Sequence, residues 1–133
     1  MRNIVWFCTF LGFLIGLSRS DAAELSKEER SFVFGYVATA FMVFKCGDLE
    51  RDEDTPMVLA DKMGVDGSRM WDAARAAMLA NLNLPYDRKD LVPEVTRTVH
   101  AVAEELAPQV ANGSICKKVD DWVEIGWLKR KRK

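Results

Sequence analysis

Apolar residues divide this chain into one continuous N-terminal run and a series of shorter amphipathic segments. The run extends from Ile4 to Leu17, follows a short basic start, and is interrupted only by small or mildly polar residues. The small residues between Ser18 and Ala23 provide a site for a signal peptidase. Because the run is shorter than the roughly 20 apolar residues of a membrane-spanning helix, the pattern predicts a cleaved signal peptide at residues 1–22.

The first segment after this leader has the pattern of a helix. Ser26 and Glu29 have the spacing of a capping box, in which each side chain satisfies a backbone amide of the first turn. The apolar positions that follow repeat at helical spacing: Val33, Val37, Phe41 and Phe44. A strand is the alternative for this segment, since Val and Phe also favour sheets. The capping box and the length favour a helix.

Four further helices are expected, with short connections. The signals that bound them are a cap at Asp54 or Thr55, a stop at Gly64, a start at Asp66, a break after Asn81, a cap at Asp90, a kink or end near Pro108, and a start at Ser114. The chain therefore predicts an all-α fold, a small bundle of about five helices. Residues 23–128 form its single domain and residues 129–133 form a basic C-terminal tail.

The cysteines are consistent with export. Cys8 belongs to the predicted signal peptide, which leaves Cys46 and Cys116 as an even pair in an oxidising compartment. No C-x-x-C redox motif is present. We therefore expect a structural disulfide that closes a loop of about 70 residues and joins the end of the first helix to the start of the last.

Charge is unevenly distributed along the chain. Residues 21–128 contain 20 Asp or Glu against 12 Lys or Arg, a formal charge of −8. This acidic body argues against nucleic acid as the main partner, because phosphate binding needs a positive face. The acids are densest in a predicted loop between the first two helices: Asp48, Glu50, Asp52, Glu53 and Asp54.

This acidic loop does not match a calcium-binding motif. Counted from Asp48, the sixth position of an EF-hand loop holds Glu53 instead of glycine, and the twelfth holds Leu59 instead of glutamate. The loop is instead interpreted as solvated. It is the first candidate for contact with a protein partner, since acidic patches steer binding to basic surfaces.

The C-terminus combines an aromatic residue with consecutive basic residues. Trp71 and Trp122 are expected in the core, whereas Trp127 is expected to be exposed beside Lys129, Arg130, Lys131, Arg132 and Lys133. This combination suits an anionic membrane surface or an acidic partner. The alternative is a solvated C-terminus whose lysines complement the dipole of the last helix.

Motifs for catalysis or cofactor binding are missing from the sequence. His100, one turn before Glu104, is the single histidine, and no second histidine accompanies it as a metal ligand. There is no phosphate-binding glycine loop, nucleophile elbow or dinucleotide fingerprint. No metal and no cofactor is predicted. Asn112-Gly113-Ser114 matches a glycosylation acceptor, although it also matches an ordinary turn between helices.

The arrangement of the two cysteines resembles that of short exported helical proteins of Gram-negative bacteria with one disulfide. The similar parts are Cys46-Gly47-Asp48-Leu49 after a leading helix, and Cys116 opening a closing helix that ends in Glu124–Leu128. The resemblance implies a class whose known roles include acid-stress chaperones and periplasmic immunity proteins. It implies no functional residue.

Three functions remain open at this point. The leading hypothesis is a secreted or periplasmic, non-enzymatic protein that binds another protein as an inhibitor, immunity factor or chaperone-like accessory. The second is a cell-envelope component that contacts the membrane through Trp127 and the basic tail. The third is a hydrolase whose carboxylates converge only in the folded protein.

Overall fold

A computed structural model describes residues 24–132 of the chain. The predicted signal peptide at residues 1–22, with Cys8, lies outside the described residues, as does Lys133. The described part contains five α-helices and two short strands: α1 Lys27–Cys46, β1 Leu49–Arg51, α2 Asp54–Met63, α3 Gly67–Asn81, α4 Pro93–Ala111, α5 Val119–Glu124 and β2 Leu128–Arg130. Two 3-10 turns, Arg88–Asp90 and Ser114–Lys118, precede α4 and α5. The mostly helical fold is confirmed.

The core forms where α1 packs against α3 and α4. From α1 it receives the fully buried side chains of Phe32, Val33 and Val37. From α4 it receives a stripe at spacings of three and four that the sequence predicts: Val95, Val99, Val102 and Leu106. The alanines on the buried face of α3 lack bulk, so this helix approaches its neighbours closely. α1 is therefore the central helix of the domain.

The local signals at Ser26, Gly64 and Asp66 are confirmed. The Ser26 hydroxyl accepts a hydrogen bond from the Glu29 amide at 3.1 Å, and the Ser26 amide donates to the Glu29 carboxylate at 2.9 Å. The Asp66 carboxylate accepts from the Arg69 amide at the start of α3. Gly64 ends α2 with a φ of +73°, a left-handed conformation that costs glycine little.

The expectation of a loop between Cys46 and Asp54 is wrong at its centre. β1 pairs antiparallel with β2, so that Glu50 lies opposite Lys129. The Asp52 amide donates to the Trp127 carbonyl at 3.0 Å, and the Lys131 amide donates to the Asp48 carbonyl at 2.8 Å. The pairing accompanies the burial of Leu49 and Leu128 in the core.

Two expected boundaries of α4 are also wrong. Asp90 does not cap the helix, because it ends a 3-10 turn and α4 begins at Pro93 after Val92. Pro108 does not end the helix, which continues to Ala111. Pro108 has no N–H for the Glu104 carbonyl, and both residues are on the exposed side of the helix.

Phe44 departs from the predicted buried stripe of α1. Its side chain is 83% exposed, although Val33 and Val37 are buried as expected. In the last turns of α1 the core side is occupied by Met42 and Cys46, four residues apart on one face. Phe44 lies two residues from each, about 200° around the helix axis. It therefore points away from the core.

The expectation that Trp127 is exposed is wrong. Only 5% of this residue is exposed, and its indole lies against Gly35 in the middle of α1. A Cβ at Gly35 would be 2.8 Å from Cη2 of the indole. The ring centroid is 5.3 Å from that of Phe32 and 6.4 Å from that of Trp71. The residues just before the basic tail thus complete the core.

The predicted disulfide between Cys46 and Cys116 is confirmed, with the two Cα atoms 5.6 Å apart. It joins the last residue of α1 to the 3-10 turn that precedes α5. We name residues 114–130 the C-terminal segment. This segment is attached to α1 by the disulfide, to β1 by the strand pairing and to Gly35 by Trp127.

Removal of the disulfide by Cys46→Ala and Cys116→Ala should lower the free energy of unfolding by about 4 kcal/mol. The reason is that the unfolded chain gains entropy when the loop between the cysteines, which are 70 positions apart, is no longer closed. Urea unfolding of the oxidised protein and of the variant measures the difference. The reduced wild-type protein is the control and should match the variant. A loss below about 1 kcal/mol would contradict this role for the bridge.

Gly35→Ala should lower the free energy of unfolding by about 1–3 kcal/mol, because the new methyl group overlaps the Trp127 indole. Helix propensity alone predicts the opposite sign, a gain of about 0.5–1 kcal/mol. The cost should shrink when Trp127→Leu is introduced in both backgrounds, as a double-mutant cycle measures. An unchanged or higher stability of Gly35→Ala would show that the indole is not packed there.

Candidate functional site

A groove between α1, α4 and α5 is a concave site in the described part of the chain. Its volume is about 760 Å³. One wall is the N-terminal half of α1 and the other is α4 from Glu94 to Glu105. The C-terminal ends of both helices lie near the disulfide, so the two helices run in the same direction.

The floor of the groove is apolar and supported by the core. It includes Leu25, Phe34, Val102 and Trp122. The ring centroids of Phe34 and Trp122 are 6.3 Å apart, and Trp122 meets Trp127 edge-on at 5.8 Å. Trp122 is thus supported by the buried Trp127. It is half-buried, packed against the core instead of lying within it as the sequence predicts, and it lines the groove.

Charged side chains line the rim of the groove. They are Glu24, Lys27, Arg30, Glu94, Arg97 and Glu105. None of these side chains forms an ion pair with another residue within 24–132. Their charges are therefore directed to solvent or to a ligand.

The predicted acidic partner site lies on another face of the molecule. Asp48, Glu50, Glu53 and Asp54 are exposed around β1, whereas Asp52 is half-buried. The strand pairing places basic residues among them: Lys129 lies opposite Glu50 and Arg130 opposite Leu49. The surface around β1 therefore carries mixed charge, which weakens its field compared with an isolated acidic loop.

Asp52, one of these acidic residues, stabilises the start of α2. Its carboxylate accepts hydrogen bonds from the amides of Thr55, at 3.3 Å, and Asp54, at 2.8 Å, at the start of α2. The Lys129 Nζ lies 3.8 Å from the Asp52 Oδ2. The Thr55 hydrogen bond lowers the pKa of Asp52 below its ordinary value, and the Asp54 hydrogen bond and the charge of Lys129 act in the same direction. The predicted cap at Asp54 or Thr55 is therefore wrong. Glu53 is the N-cap residue and its side chain forms no cap hydrogen bond, whereas the Asp52 carboxylate just before it accepts from the first amides of α2.

The predicted site at the C-terminus is divided by the fold. Trp127 is buried, whereas Lys129, Arg130, Lys131 and Arg132 are exposed. Arg130 pairs with Asp120, and Lys129 pairs with Asp52. The aromatic ring is thus separated from the basic side chains that would accompany it at a membrane. Contact of those basic side chains with a membrane or an acidic partner stays a prediction.

Other candidate groups are not brought together. His100 and Glu104 are both exposed on α4 and do not line the groove. Asn112 ends α4, and its side-chain oxygen accepts from the Ser114 amide at 2.8 Å, as in an ordinary turn. Within residues 24–132, no three side chains of His, Cys, Asp or Glu are placed to bind a metal ion. No helix in that range has the length and apolar character to cross a membrane.

A second concave site is formed by the connection after α3. Its volume is about 490 Å³, and Leu84 and Tyr86 are among its lining residues. Leu82, Leu84 and Tyr86 are all exposed in this connection. Unlike the groove, this site has no helix pair as its walls and no buried ring beneath it. The groove is therefore the better candidate.

Comparisons with protein-family models, curated proteins and solved structures found no match. The function must therefore be inferred from the geometry. The sequence reasoning did not identify the groove, although a signal is present in α4. Its polar and small residues repeat on the face next to the apolar stripe: Glu94, Arg97, Thr98, Ala101 and Glu105.

Asp52→Ala should lower the free energy of unfolding by about 1 kcal/mol at pH 7, the usual cost of losing a helix cap. Because the pKa of Asp52 is lowered in the folded state, its contribution is full above the ordinary carboxyl pKa of about 3.9. It is lost as the pH falls through the lowered value. Urea unfolding at pH 7 and at pH 2–3 measures both. Glu53→Ala, which removes an exposed neighbour, is the control, and an equal effect of the two variants would contradict the cap.

Proposed function

We propose that this chain is an exported, non-enzymatic protein that binds a segment of another protein in the groove between α1 and α4. Inhibition, immunity and chaperone-like assistance all fit this activity. The observation that carries the proposal is the groove itself. It combines an apolar floor with charged side chains on its rim that have no ion-pair partners among the described residues.

Export is supported by two independent features. A disulfide between Cys46 and Cys116 is typical of proteins that fold outside the reducing cytoplasm. The apolar run and small residues at 4–23 have the pattern of a signal peptide. Glu24 lies at the edge of the groove. Cleavage after residue 22 would leave a single residue before Glu24, so the removed leader would not cover the groove.

A protein partner fits the groove better than a small metabolite does. The walls are formed by the exposed faces of two helices, and the groove is open along its length, whereas small-molecule sites enclose most of their ligand. The half-buried Trp122 in the floor also suits a protein contact, because tryptophan is enriched at the centres of interfaces.

The alternatives have less support. Glu94 and Glu105 are eleven residues apart on one helix, about 16 Å along its axis. A pair of glycosidase carboxylates is about 5–9.5 Å apart, so these two do not form one. The burial of Trp127 removes the aromatic part of the proposed membrane contact.

Ala101→Trp should abolish binding of the protein partner, because Ala101 is an exposed residue of the groove and a large ring there fills it. The measurement is co-purification from the exported fraction of the native host, with wild-type protein and variant as baits. We expect at least a tenfold loss of the retained partner, equivalent to about 1.4 kcal/mol of binding free energy.

Ala111→Trp is the matched control, since Ala111 is exposed at the end of α4 and does not line the groove. It should retain the partner as the wild type does. Equal retention by Ala101→Trp would show that the contact lies elsewhere on the surface. If no protein is retained by any of the baits, the proposed binding function is wrong.

A further inference from the structure

We propose that the segment bound in the groove is an amphipathic α-helix with acidic residues along one flank and basic residues along the other. This inference rests on the proposed function and specifies the partner of that same site. It follows from three properties of the groove: the helical repeat of its walls, the lack of backbone partners in those walls, and the distribution of charge between them.

The groove has the length and regularity to receive a helix. The residues that α1 contributes lie on one face, at Lys27, Arg30, Ser31 and Phe34, with helical spacings. The α4 residues repeat in the same way from Glu94 to Glu105, over about 16 Å or three turns. A helix laid between two such ridged surfaces packs its side chains into their grooves.

An extended segment would lack partners for its backbone hydrogen bonds in this groove. Beyond their first turns, the backbone N–H groups of α1 and α4 are engaged in their own helices, so these walls offer no continuous ladder to an added strand. An extended chain would lose hydrogen bonds to water along the apolar floor without replacement. A helix satisfies its own backbone and needs only an apolar face to fill the floor.

The two walls carry opposite charges. On the α1 wall, Lys27 and Arg30 lie one turn apart and outnumber Glu24, which precedes the helix, so the net charge of this wall is positive. On the α4 wall, Glu94 and Glu105 lie at the two ends, with Arg97 between them. A helix with acids facing α1 and bases facing α4 complements both walls. Such a pattern also selects one of the two directions in which the helix can lie, because reversing the helix exchanges its flanks.

The test uses three labelled synthetic peptides with the same leucine stripe, and fluorescence anisotropy measures their binding to the exported, disulfide-bonded protein. The first has Glu on one flank and Lys on the other. The second has Lys on both flanks. The third is the first peptide with a central proline, which prevents a continuous helix. We expect the first peptide to bind the wild type most tightly, and the third at least tenfold more weakly than the first.

Charge reversal of the α1 wall should exchange the preference. In Lys27→Glu with Arg30→Glu, both walls are acidic, so the first peptide should lose about tenfold in affinity and the second should gain a similar factor. Lys117→Glu with Lys118→Glu changes the net charge by the same amount outside the groove. That control should leave both affinities unchanged.

Other results would overturn the inference. Equal binding of the first and third peptides would indicate an extended occupant. If the ratio of the affinities of the first two peptides is unchanged after charge reversal, the charges of the groove do not select the partner. A dimer of the protein that Ala101→Trp dissociates would identify a second copy as the occupant. If the peptides fail to bind while co-purification still depends on Ala101, the inference fails and the proposed function stands. If co-purification does not depend on Ala101, both fail.

Discussion

The packing of Trp127 against Gly35 is the interaction on which the rest of this structure depends. The indole occupies the space that a Cβ would take in the middle of α1, and it contacts Phe32, Trp71 and Trp122. Because Trp127 is adjacent to β2, its burial brings that strand to β1. Because it lies beneath Trp122, it also sets the floor of the groove. One contact thus links the core, the strand pair and the candidate site.

The position of the charged residues follows from the same packing of Trp127. The sequence separates an acidic body from a basic tail, but the fold brings them together. Lys129 lies beside Asp52, and Arg130 pairs with Asp120. The Arg130–Asp120 pair is exposed on both sides, and such pairs contribute little to stability. Both pairs reduce the net charge of the surface around β1. The charges on the rim of the groove have no such partners within residues 24–132, which makes the groove the more informative surface for recognition.

Features with local causes could be predicted from the sequence. The capping box at Ser26, the cap at Asp66 and the stop at Gly64 depend on residues within one turn. The disulfide could be predicted because only two cysteines follow the leader. The strand pair could not, since each strand has three residues and the partners are 77 to 81 positions apart. Trp127 appeared exposed because nothing near it in sequence indicates that Gly35, on α1, leaves space for an indole.

The candidate site was missed for a related reason. Its walls come from α1 and α4, and its floor includes a residue of α5. Each contributes a short stripe that is ordinary for an amphipathic helix. Only the packing of the three helices makes those stripes face one another. The acidic residues around β1 are close together in the sequence, yet such a cluster of charges indicates solvent exposure more reliably than it indicates a binding site.

The most direct test of the contact between Trp127 and Gly35 is a proton NOE spectrum of the oxidised protein in solution. We expect cross-peaks between the α protons of Gly35 and the Hη2 and Hζ2 protons of the Trp127 indole, because a Cβ at Gly35 would lie within 2.9 Å of the carbons that carry them. An absence of these cross-peaks, together with rapid solvent exchange of the Trp127 indole N–H, would contradict the burial of Trp127.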